Sequence, residues 1–233
     1  MRRRLLAAAA AATLASQAGA ATPELDADNP TCPKHLNFST YRQMKFTPET
    51  IDGKAILKIE GMIDEGVPGR LQDALKQNPA VDEIWIRSPG GDARAGNAAG
   101  KIIRATGIPT RIPEGWACFS ACNFMFMGGA IRFVDPGGLF VVHMFTHLGD
   151  KEAVREEVKR DADSAIGLIG DVEQDSALLA SEDNDFLIRM GVSRKLLTDV
   201  MYRQKAVADG EDKSTRRCLT AEETTKYNVA NMH

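Results

Sequence analysis

Three short segments carry groups that could act on one another: Ser88-Pro-Gly-Gly-Asp92, Cys118-Phe-Ser-Ala-Cys122 and Val141-Val-His143. In chain order they offer a glycine turn, a hydroxyl and an imidazole, each at the end of a predicted strand. Hydrolysis through a serine needs these parts: backbone N–H donors for an oxyanion, a nucleophile, and a base to take its proton. No third residue to hold the base shows itself in the pattern.

Each group also has an ordinary structural use. A double glycine between strand and helix is a common turn, although it can also bend sharply and aim N–H groups at a ligand. Neither G-x-G-x-x-G nor G-K-[ST] is present, so a nucleotide loop is a weak reading. Ser120 opens a predicted helix, where unpaired N–H groups and a positive dipole end would stabilise an anion. A serine at that place is most often an N-cap. It is not within G-x-S-x-G, so an α/β-hydrolase elbow is not indicated. His143 closes an apolar strand 23 residues after Ser120. Of His35, His143, His147 and His233 it alone sits at a predicted strand end, with His147 in reserve.

The elements that must position these groups alternate. Strands are predicted over 55–63, 82–87, 108–112, 131–134 and 139–143, and helices over 66–77, from Gly91 to Gly107, and over 120–127. Ile84-Trp-Ile86 is apolar on both faces, as in a buried parallel strand. In the second helix Ala95, Ala98, Ala99, Ile102, Ile103 and Thr106 share a face, and small alanines let it pack close to a sheet. Repeated βα units imply an α/β fold with right-handed crossovers. A charged helix is predicted over 151–180, with Val154, Val158, Ala162, Ala165, Ile166 and Ile169 on one face. That face is either solvated or a homo-oligomer contact. A helix over 193–202 follows, and Thr220-Ala-Glu-Glu223 matches a capping box for a last helix to about residue 227.

Residues 1–20 read as a signal peptide. Arg2-Arg-Arg4 is the basic region, Leu5 to Ala15 the short apolar region, and Ala18-Gly-Ala20 an A-x-A site. The apolar run is too short to span a bilayer. A soluble periplasmic or secreted protein is expected, with an irregular arm over 21–50 and a domain over 51–233. Removing residues 1–20 takes three arginines and leaves 26 basic against 32 acidic residues, a net charge of −6. Without a basic block, nucleic-acid binding has no electrostatic footing. The four cysteines, Cys32, Cys118, Cys122 and Cys218, favour disulfides in an exported chain. Of three pairings, Cys118–Cys122 and Cys32–Cys218 are expected: one braces the loop carrying Ser120, the other ties the arm to the segment before the last helix. Cys-x3-Cys with no second pair makes zinc a poor fit, and no metal or cofactor is expected.

Order and spacing reach a family at this point. The pieces are Ile-Arg-Ser-Pro-Gly-Gly at 86–91, Gly96 in the alanine-rich helix, Ser-Ala at 120–121, Gly-Gly-Ala-Ile-Arg-Phe at 128–133, and Val-Val-His at 141–143. Cys-Leu-Thr-Ala-Glu-Glu-Thr-Thr-Lys-Tyr-Asn-Val at 218–229 completes the set. Over roughly 55–233 the chain resembles the Clp protease proteolytic subunit within the ClpP/crotonase superfold, and above all exported ClpP-like bacterial proteins. The resemblance implies a repeated β-β-α/βα spiral with a mostly parallel sheet. It implies Ser120 as nucleophile, His143 as general base, and the N–H groups of Gly91 and Ala121 as oxyanion hole. An extended peptide substrate would lie beside the Gly90-Gly91 turn as an added strand.

One position departs from the family. Its aspartate aligns with Arg216, and a guanidinium cannot accept a proton from His143. Asp212 is the nearest carboxylate and the candidate third member; carboxylates on the 150–185 helix are further options. A Ser/Lys dyad with Lys151 or Lys159, or a backbone carbonyl behind the imidazole, would also serve. Taken together this describes an exported serine hydrolase, a peptidase for short or unfolded peptides, with no ATPase partner where ATP is lacking. The alternatives are an inactive ClpP-like protein that binds peptides or assembles, and a crotonase-like acyl-CoA enzyme. The latter lacks a basic site for CoA phosphates.

Overall fold

A computed structural model describes residues 24–146, 151–207 and 215–232. The expected signal peptide over 1–20 lies outside the described residues. In chain order the elements are β1 (Leu25–Asp26), β2 (Asn29–Pro33), β3 (Lys45–Ile51), β4 (Lys54–Glu60), α1 (Val67–Gln77), β5 (Glu83–Arg87), α2 (Ala93–Thr106), β6 (Thr110–Ile112) and β7 (Ala117–Phe119). There follow α3 (Cys122–Met127), β8 (Arg132–Val134), β9 (Leu139–Val142), α4 (Lys151–Arg160) and α5 (Ala162–Met190). A π turn (Leu196–Val200), a 3-10 turn (Met201–Arg203), β10 (Arg217–Cys218) and α6 (Ala221–Lys226) close the chain.

The main sheet has the order β3-β4-β5-β6-β8, parallel from β4 onward. Leu57, Ile59, Ile84 and Ile86 are fully buried in it, as strands flanked by crossover helices should be. A second sheet has the order β10-β9-β7, with β7 and β9 parallel. A single bridge, Ser88 to Cys118, joins the end of β5 to β7. The alanine-rich α2 packs on α3 with backbones in contact: a Cβ on Gly100 would lie 2.3 Å from the Phe124 carbonyl oxygen. This is the α/β class with a mostly parallel sheet that the alternation implies.

Four details differ from the sequence expectation. The arm over 21–50 is not irregular throughout: β1 and β2 pair, and β3 pairs antiparallel with β4. Pro48 in β3 hides that strand from a pattern reading, yet an edge strand tolerates a residue with no N–H. The strand β7 is too short to show a period. The helix expected over 151–180 is two helices, because Asp161 turns extended (φ −169°) and its carboxylate caps α5 by accepting from the Ser164 N–H. The helix expected over 193–202 is a π turn followed by a 3-10 turn, and it buries Leu196, Leu197 and Val200. The capping box at Thr220 and Glu223 is formed as its spacing requires.

Candidate active site

The site is assembled at the ends of β5, β7 and β9. Ser88 closes β5, donates its N–H to the Ala117 carbonyl at 3.2 Å and accepts from the Phe119 N–H at 3.1 Å, which docks β7 on the turn. Its buried hydroxyl donates to the Gly61 carbonyl at 2.6 Å and accepts from the Gly90 N–H at 3.0 Å. Ser88 is therefore the anchor of the turn, a role that the Ser-Pro-Gly-Gly string signals only by its neighbours. The Gly90 carbonyl accepts from Ile63, and the Asp92 N–H donates to the Ile63 carbonyl, each at 2.9 Å. The Gly91 N–H between them faces the opposite edge. Gly90 has φ +92°, and a Cβ there would lie 2.7 Å from both the Phe119 carbonyl oxygen and Ser120 Cβ. No other residue fits.

Ser120 is not an N-cap. It has φ +59°, and α3 starts two residues later with Ala121 as its cap residue. A serine held in the left-handed region costs roughly 1–3 kcal/mol and persists only where its surroundings over-determine it. The constraints are visible: Gly90 against its Cβ, its carbonyl accepting from the Asn123 N–H at 2.9 Å, and the flanking cysteines. Cys118 and Cys122 are fully buried at disulfide distance, Cα to Cα 5.4 Å. Cys32 and Cys218 are likewise at disulfide distance, Cα to Cα 5.1 Å.

His143 arrives by register. The pairing of Phe119 with Val141 in the parallel β7–β9 ladder brings the ends of both strands to the same edge, with Ser120 one residue and His143 two residues past the last pair. Ser120 Oγ and His143 Nε2 lie 2.7 Å apart, and the Phe119 ring stacks on the imidazole at 4.6 Å. Burial pushes the imidazole below its ordinary pKa, and a hydrogen bond to the Met144 backbone partly offsets this. With the other ring nitrogen donating to that backbone, Nε2 would be the acceptor facing the hydroxyl. A neutral imidazole at that distance can take the serine proton. Among the described residues, neither the Gly91 nor the Ala121 N–H is donated to another group. Both residues line the same pocket as Ser120 and His143, a cavity of about 220 Å³.

The place of the third member is occupied differently. In the β9–β10 ladder Arg217 pairs with Val142, so residue 216 stands opposite residue 143. The Arg216 guanidinium turns away and pairs with Asp26 of the N-terminal arm at 3.3 Å. Asp212 and His147 lie outside the described residues. Lys151 is exposed, Lys159 pairs with Glu156 on α4, and neither lines the pocket. Among the described residues no carboxylate hydrogen-bonds His143.

One carboxylate of the long helix does enter the pocket. Asp183 lines it between Leu179 and Leu187 on one face of α5. Burial, and then the charge of Glu182, raise its pKa to about 7. Tyr202, raised to about 12, is affected by burial and then by Asp183. Asp183 is one of the 150–185 carboxylates that the sequence leaves open; what sets it apart from Glu182 and Asp185 is its four-residue spacing from both Leu179 and Leu187.

Neither a family model nor a curated relative matches the sequence. Solved structures do. A ClpP1 mutant from Listeria monocytogenes matches with a TM-score of 0.50 at 15% identity, over 76% of this chain and 88% of that one. The fold is ClpP-like. A mutant of the 1510-N membrane-bound stomatin-specific protease matches at 14% identity and a TM-score of 0.45, over 75% of each chain. At this identity the ClpP-like fold speaks for the path of the backbone. The roles of Ser120 and His143 rest on their own geometry. Among the described residues no helix is long and apolar enough to cross a membrane.

Proposed function

We propose that the protein is an exported serine hydrolase, a peptidase acting on short or unfolded peptides. The observation that carries this reading is the 2.7 Å contact of Ser120 Oγ with His143 Nε2 beside two undonated N–H groups. Ser120 attacks the scissile carbonyl as His143 takes its proton. The N–H groups of Gly91 and Ala121 receive the oxyanion, and the protonated imidazole then returns its proton to the leaving amine. An acyl-enzyme results, and water repeats the sequence. The ClpP-like fold supports a peptidase, and the two cysteine pairs support export to an oxidising compartment with residues 1–20 removed. Native protein would then hold no alkylatable thiol. Val158, Ile166 and Ile169 stand exposed on α4 and α5, which supports a homo-oligomer contact there.

Turnover tests the reading. Mature protein incubated with an unstructured peptide mixture should generate new termini by mass spectrometry, and the Ser120→Ala variant should not. One observation favours a second reading. Arg216 opposite His143 leaves the imidazole without a carboxylate, as a ClpP-like protein that binds peptides without cleaving them would tolerate. Peptide binding with no new termini would select it.

A further inference from the structure

Two polar groups in the pocket are left over by the proposed reaction. Asn123, on α3, is 3% exposed and lines the cavity; its Nδ2 donates to the Val141 carbonyl at 2.8 Å, while its Oδ1 is buried with no partner. Asp183 comes from α5 with Leu179 and Leu187 one turn to either side. The π and 3-10 turns add Leu197 and Met201. Among the described residues no lysine or arginine lines the pocket, and no hydrogen bond or ion pair reaches the Asp183 carboxyl. The groups that face it are Glu182 beside it, Tyr202 from the 3-10 turn, and His143 in the same cavity. None is a permanent cation.

A buried carboxamide oxygen with no donor and a carboxyl kept from ionising by burial both favour a ligand that brings N–H donors and positive charge. An aliphatic side chain entering the pocket would strip water from both and return nothing. A side chain with a methylene stem and a cationic end fits both parts: the stem lies against the leucines and the methionine, and the end meets the acceptors.

We infer that the pocket beside Ser120 is a specificity subsite for lysine or arginine, with Asp183 and the Asn123 carboxamide oxygen receiving the charged end. The inference rests on the peptide-directed reading above and names the side chain that precedes the attacked bond. Alone, Asp183 keeps its proton well above the ordinary carboxylate range, losing it only at about pH 7, because burial disfavours the charged form. An arriving ammonium supplies the missing counter-charge, and the carboxyl releases its proton to solvent as the ion pair forms. Selectivity for the cation therefore grows as pH rises through the neutral range. His143 in the same cavity repels a cationic end only while protonated, so its loss of charge as pH rises acts in the same direction.

The test uses the mature chain carrying Ser120→Ala and two fluorescent peptides identical except for a terminal lysine or norleucine, read by anisotropy. The lysine peptide should bind at least about tenfold tighter, the low end of what one hydrogen bond to a charged group contributes. Asp183→Asn should bring the ratio near one, and Asp183→Glu, which keeps the charge, should retain part of it. Equal or tighter binding of norleucine, a ratio that survives Asp183→Asn, or binding of neither peptide would overturn the subsite. Fluorophosphonate labelling of the unaltered chain reports separately on the hydrolase. Labelling without a lysine preference removes the subsite and leaves the hydrolase. A lysine preference without labelling keeps the subsite in a peptide-binding protein.

Discussion

The two halves of the site are built to different standards. The nucleophile half is held from every side: Ser88 pins the glycine turn through four hydrogen bonds, Gly90 abuts Ser120, and the paired cysteines bracket it. The base half is held by the Phe119 ring and the Met144 backbone, and the position opposite it carries Arg216, engaged with Asp26. The strain at Ser120 needs the first kind of support, since a left-handed serine relaxes unless its neighbours forbid it. The imidazole needs orientation, which a stacked ring and one hydrogen bond supply at some loss of basicity relative to a triad.

That contrast can be broken in several ways. Replacing His143 by alanine should lower the rate of fluorophosphonate labelling at Ser120 by about 10²–10⁴-fold, the usual worth of a general base. A loss below tenfold would mean that another group takes the proton. Gly90→Ala tests the other half: its new methyl meets Phe119 and Ser120, and misplacing a nucleophile by about 1 Å costs on the order of a hundredfold. Circular dichroism should show the fold retained.

Asp183 makes a stability prediction of the opposite sign to an ion-paired acid. Its folded pKa is raised from 3.8 to about 7, so the folded state keeps a proton that the unfolded chain releases. Stability therefore falls as pH rises between those values and is level above them. Asp183→Asn should remove that slope and stabilise the protein at about pH 8 by on the order of 2 kcal/mol, with little change at about pH 4. Thermal unfolding at the two pH values measures it, and an unchanged slope would show that the carboxyl is solvated. The smallest effect sharpens the comparison by repair. Arg216→Asp combined with Asp26→Asn puts a carboxylate opposite His143; labelling should accelerate by up to about tenfold and the imidazole pKa should rise. No change in either would mean that residue 216 does not reach the ring.

Local chemistry was the legible part. The βα alternation, the double-glycine turn and the α6 capping box follow from residues within a few positions of one another. What escaped depends on long-range register or on tertiary override. The edge strand with Pro48 forms because β4 offers a partner. The left-handed Ser120 exists because Gly90, thirty positions earlier in the chain, packs against it. Arg216 at the position opposite His143 was legible through the family alignment, but its engagement with Asp26 of the arm was not, and Asp183 lines the pocket because α5 continues to Met190.

The central claim is that Ser120 is a nucleophile activated by His143. The most direct test is the rate of fluorophosphonate labelling of mature protein from about pH 4 to about pH 9, with the adduct located by peptide mapping. The predicted result is an adduct on Ser120 that forms along a single titration with a midpoint below the ordinary imidazole value, and no adduct in Ser120→Ala. A rate independent of pH, or undiminished labelling of Ser120→Ala, would contradict it.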